Sequence, residues 1–207
     1  MKYLESILER RSFFTGMGAA GAAALAGTRA WRPGHESKDD WLDRIPGRHR
    51  MVFDSTMPNG FGAALVFANN FYIGNTDGYG LRDSDVAVVI VARHYSTPFS
   101  LVDAMWAKYG ATISRLGNIT DPKTNQVPAN NIYMGSLGPL LKRGMHLAVC
   151  GMATRELANS ISGDLGGDAE QIYKELAANL VTNSHIVATG IVAVNRAQER
   201  GYAFVST

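Results

Sequence analysis

The run Val86–Ala92, VAVVIVA, places seven apolar residues in succession, most of them β-branched. A strand with one face in water alternates apolar and polar side chains. An unbroken run instead predicts a strand covered on both faces. Strands of that kind belong to parallel sheets with helices on either side, so this segment alone points toward an α/β fold.

The rest of the chain from Arg50 onward alternates in the same sense. RMVFDST reads as a short strand and GFGAALVFANNFYIGN as a helix that carries the polar pair Asn69 and Asn70. After the VAVVIVA strand, TPFSLVDAMWAKYG reads as a helix capped by Thr97, with Pro98 in its first turn and Gly110 as its stop. Residues 111–139 interrupt the alternation; the stretch NITDPKTNQVPANN predicts a long inserted loop. GPLLKRG is a helical turn, MHLAVC a third strand and MATRELANSIS a helix. DAEQIYKELAANL is a further helix, with Asp168 and Gln171 spaced as a capping box. HIVATG, IVAVNRAQERG and YAFVST complete the series as strand, helix and strand. About five strands alternating with helices predict a doubly wound parallel sheet.

In such sheets ligands bind beyond the carboxyl ends of the strands. That rule selects Asp54 and Ser55 after the first strand and His94 after the second. After the third and fourth it selects Cys150 with Gly151, and Thr189 with Gly190. Cys150 is the only cysteine of the chain. A thiol between a strand and a helix N-terminus sits where backbone N–H groups favour an anion, which suits a reactive thiolate. Arg155, one turn into the helix, is placed to assist it, and His94 to act as a general acid or base. Asn69 is placed to face the cleft or another subunit. The alternatives are plainer: Cys150 as a buried filler, His94 bonded to a loop carbonyl, and Asn69 capping or satisfying a neighbouring turn.

Composition narrows the function classes. The 207 residues carry a net charge of +2 without a basic stripe, which argues against a nucleic-acid partner. No CxxC or HExxH spacing predicts a metal site, and no cofactor is expected. TGMGAAG has the glycines of a phosphate loop but follows no strand and lacks the Lys-Ser/Thr that such a loop requires. No G-x-S-x-G elbow is present.

Residues 1–30 differ from the rest. Arg10 and Arg11 precede Ser12-Phe13-Phe14, a Gly/Ala-rich run and the small-x-small site Ala24-Leu25-Ala26. This order resembles a twin-arginine export signal, and predicts a periplasmic or extracytoplasmic protein. The run is too short and too weakly apolar for a comfortable membrane span, so membrane contact is expected only through an uncleaved signal. Residues 31–49, with Trp31, Trp41, Pro33 and Pro46, read as a linker or arm, and residues 50–207 as the folded domain. An exported chain with one cysteine must bury it, use it or pair it between subunits.

HLAVCGMATRE and the later IVATGIVAVNRAQERGYAFVST resemble the C-terminal half of the DsrE/DsrF-like family. The matching features are Cys150-Gly151, Gly190, Gln198 and Gly201-Tyr202-Ala203. ALVFANNFYIG resembles the family's first helix, and VVIVARHYSTPFSLVDAMWAKYG its exported members. The resemblance implies a flavodoxin-like α/β domain that assembles into homo-oligomers. It further implies a persulfide-carrying cysteine at Cys150 with a sulfur-donor or sulfur-acceptor protein as partner. The alternative is a non-catalytic binding or assembly subunit of a periplasmic or membrane-associated complex.

Overall fold

The computed structural model describes residues 38–207. Residues 1–30, whose order resembles an export signal, and Trp31 lie outside the described residues. Five strands form one sheet: β1 (His49–Ser55), β2 (Val86–Ala92), β3 (His146–Cys150), β4 (Ser184–Val187) and β5 (Ala203–Ser206). Their order is β4-β3-β2-β1-β5, and every pairing is parallel. This is a doubly wound α/β fold of the flavodoxin-like class.

All seven residues of β2 are buried, and they divide by period two. Val86, Val88, Ile90 and Ala92 enter one apolar cluster, and Ala87, Val89 and Val91 enter the other. The first cluster is closed by α2 (Pro58–Tyr79), α3 (Asp103–Gly117), α4 (Met134–Lys142), α5 (Gly151–Leu165) and α6 (Ala169–Ala178). The second is closed by α7 (Gly190–Glu199) and by α1 (Trp41–Arg44), a short helix that the sequence pattern places in an arm. Leu42 and Ile45 are buried there, and Arg50 donates hydrogen bonds to the carbonyls of Leu42, Ile45 and Gly47. The described part of the arm therefore packs on the sheet.

Three further details differ from the sequence pattern. Residues His94–Ser100 form a 3-10 turn, and α3 starts only at Asp103. Thr97 does not cap α3; its hydroxyl donates to the Ala92 carbonyl. Gly110 does not stop the helix. It lies inside α3, where a Cβ would stand 2.6 Å from the Pro128 carbonyl oxygen, so glycine here admits the following loop. The helix runs on to Gly117 and α4 starts at Met134, so the irregular part of the 111–139 segment is confined to its middle.

Candidate functional site

The sheet topology fixes one crevice. The helices that follow β1, β2 and β3 cover the first face, whereas α7, which follows β4, covers the second. β3 and β4 are neighbours whose chains leave in opposite directions, and in doubly wound sheets such a place, beyond the carboxyl ends, is the expected ligand crevice. Cys150 ends β3 and Val187 ends β4, and the two are paired in register.

Glycines allow the two connections to lie close together. A Cβ on Gly151 would stand 2.8 Å from the Val187 carbonyl oxygen, and one on Gly190 would stand 2.7 Å from the Arg93 Cβ. Thr189 caps α7, its hydroxyl accepting from the Val192 N–H at 3.3 Å.

Cys150 caps α5. Its Sγ accepts a hydrogen bond from the Ala153 N–H at 3.5 Å, and its carbonyl accepts one from the Thr154 hydroxyl at 2.9 Å. Cys150 is 7% exposed, yet it belongs to neither apolar cluster.

Arg93 is the functional candidate that strand-end selection passes over. The pairing of Ser55 with Ala92 puts Arg93 one position past the strand, beside Asp54. Its Nε and a terminal nitrogen each donate to an Asp54 carboxylate oxygen at 2.7 Å. These bonds hold Arg93 above its ordinary pKa. Asp54 is 4% exposed, and its carbonyl accepts from the N–H and hydroxyl of Thr207. The available signal was a lone charge following an apolar strand and facing a strand-end acid on the neighbouring strand.

Asp54, Arg93, Cys150, Gly151, Thr189 and Gly190 thus gather at the carboxyl end of the sheet. Ser55 is buried beneath them, its hydroxyl donating weakly to the Met57 carbonyl at 3.4 Å. The other candidates lie apart. Arg155 is turned away from the thiol: its guanidinium bonds Glu170 and lies 4.1 Å from the centre of the Tyr173 ring. Asn69 is exposed on α2, in a groove it shares with Tyr133 and Arg143. His94 is exposed, has a left-handed backbone (φ 51°) and makes no hydrogen bond to Cys150 among the described residues. It lines a cavity between the 3-10 turn, α3 and α5, which adjoins the capped thiol through Ala153.

The crevice presents a helix-capping sulfur, a fixed guanidinium and two helix N-termini. Such a set suits a sulfur-centred anion. Among the described residues no group of three or more His, Cys, Asp and Glu is arranged to hold a metal ion.

No protein-family model matches the chain, and no curated protein matches it. Among solved structures, it is similar to a protein of unknown function, MTH1491, from Methanobacterium thermoautotrophicum. The two share 16% identity with a TM-score of 0.41, over 77% of this chain and 99% of that one.

Proposed function

We propose that this chain is an exported, DsrE-like sulfur carrier that holds a persulfide on Cys150. The observation that carries this reading is the cap: the Cys150 sulfur receives the Ala153 N–H at the start of a fifteen-residue helix, at the same end of the sheet as the fixed charge of Arg93. The order of the Cys-Gly, Gln and Gly-Tyr-Ala motifs supports it.

The step is an exchange without net oxidation. The Cys150 thiolate attacks the outer sulfur of a donor persulfide, R–S–SH. A new S–S bond forms, the donor's S–S bond breaks, and the donor leaves as the thiolate R–S⁻. Delivery to an acceptor thiolate is the same exchange in reverse. Arg93 and the α5 N-terminus stabilise the negative sulfur without moving a proton. At 7% exposure Cys150 is hard to reach, so transfer is slower than to a free thiol. Donor and acceptor proteins are the expected partners. The test is the mass of the protein after exposure to a polysulfide, with Cys150→Ser alongside. A sulfur adduct confined to the unsubstituted chain supports the carrier, and its absence removes it.

One feature favours the assembly reading. Val66, Phe67 and Ile73 are exposed along α2 at 56%, 45% and 44%. Val66 and Ile73, seven residues apart, share one helix face with Phe67 next to it, and such an apolar patch suits a contact with another subunit. In this reading a homo-oligomer or a complex in the periplasm covers α2 and Cys150 only packs. Cys150→Ala would then leave both assembly and function intact.

A further inference from the structure

The cavity beside His94 has a chemistry of its own. It encloses about 170 Å³ between the 3-10 turn, α3 and α5. Ile113, Leu116 and Leu157 supply apolar walls, and Tyr95, His94 and Glu156 supply polar groups. An apolar cavity of about 150 Å³ is large enough to accept benzene, so this one admits a single ring or a short chain.

Its charge is one-sided. The lining contains neither lysine nor arginine, and Glu156 is its one carboxylate. The two nearest arginines on these helices are engaged elsewhere. Arg155 bonds Glu170, and Arg115 bonds Asp164 at 2.7 Å. Among the described residues the Glu156 carboxylate has no ion-pair partner and accepts no hydrogen bond. Tyr95, 46% exposed, adds an aromatic ring, whose face attracts a cation.

We propose that this cavity binds a small organic cation: a primary amine carried on a single ring or a short apolar chain. The apolar body lies against Ile113, Leu116 and Leu157. The ammonium pairs with the Glu156 carboxylate and approaches the Tyr95 ring. A carboxylate ligand of the same shape would meet Glu156 as a like charge. The cavity shares Ala153, the donor to the Cys150 sulfur, and Cys150→Ser is expected to bind benzylamine as the unsubstituted chain does, which separates this proposal from sulfur transfer.

Amide NMR titrations of the whole protein with benzylamine, benzyl alcohol and benzoate test it. Benzylamine is expected to shift the amides of Ala153, Leu157 and Ser160, and to bind at least about tenfold more tightly than the alcohol. Glu156→Gln, at an exposed site, should abolish that preference. Ser160→Leu should fill the cavity and block all three ligands, with thermal unfolding showing that each variant is folded. Equal binding of the alcohol or benzoate would overturn the proposal. So would shifts confined to another surface, or no binding at about 10 mM amine.

Discussion

The indole of Trp41 lies flat on the imidazole of His185, with ring centres 3.9 Å apart and planes 8° from parallel. The Nδ1 of His146 and the Nε2 of His185 are 2.9 Å apart, so one of them donates to the other. This stack joins α1 to the amino-terminal ends of β3 and β4, at the opposite end of the sheet from Cys150. Removing the indole by Trp41→Ala should cost about 2 kcal/mol, below the usual range for a fully buried aromatic because Trp41 is only half-buried. Urea unfolding at neutral pH measures the loss.

The same stack should make the protein sensitive to acid. Burial, with the neighbouring His146 adding to it, pushes the His185 pKa down to about 4 from an ordinary 6.5. Burial lowers His146 as well. The unfolded chain therefore takes up protons below pH 6.5 that the folded chain refuses until about pH 4. Their contribution to stability is complete above pH 6.5, falls as pH drops through that window and levels off below it. Urea midpoints at pH 7 and pH 5 should differ, and His185→Phe, which keeps a ring against Trp41, should shrink the difference.

Arg93 and Asp54 form a nearly buried pair, with side chains 20% and 6% exposed. Removing the cation alone leaves a carboxylate in a low-dielectric site without its partner. Arg93→Met should thus cost about 3 kcal/mol, and Arg93→Met combined with Asp54→Asn should recover much of it. A double-mutant cycle by urea unfolding measures the coupling.

Two helical glycines should respond to alanine with opposite signs. At Gly110 the new Cβ would meet the Pro128 carbonyl oxygen at 2.6 Å, so Gly110→Ala should destabilise by about 1–3 kcal/mol despite the better helix former. At Gly74, in the exposed part of α2, nothing lies within 4 Å. Gly74→Ala should stabilise by about 0.5–1 kcal/mol. Thermal unfolding of the two variants distinguishes them.

These glycines also mark how far the sequence reads. The VAVVIVA run and the strand–helix alternation announce the sheet, because burial on two faces leaves a local signature in composition. The strand-end rule likewise brings Asp54, Cys150, Gly151, Thr189 and Gly190 to one crevice. Gly110 misleads because its cause is a chain segment eighteen residues away. Ile45 and Leu42 are hidden in a polar stretch whose partner is the far face of the sheet. Arg93 becomes visible only when β1 and β2 are set in register, and Arg155 leaves the thiol because Glu170 and Tyr173 on the next helix attract it. Tertiary partners decide each of these cases, and no local period encodes them.

Everything proposed for the thiol turns on whether the folded protein takes up sulfur at Cys150. The most direct measurement is the intact mass of the folded protein after incubation with a polysulfide, beside Cys150→Ser, followed by addition of an acceptor thiol. A sulfur carrier should gain one sulfur atom on the unsubstituted protein, absent from Cys150→Ser and lost to the acceptor. A folded protein that gains no sulfur, and whose cysteine reacts only after unfolding, would contradict it.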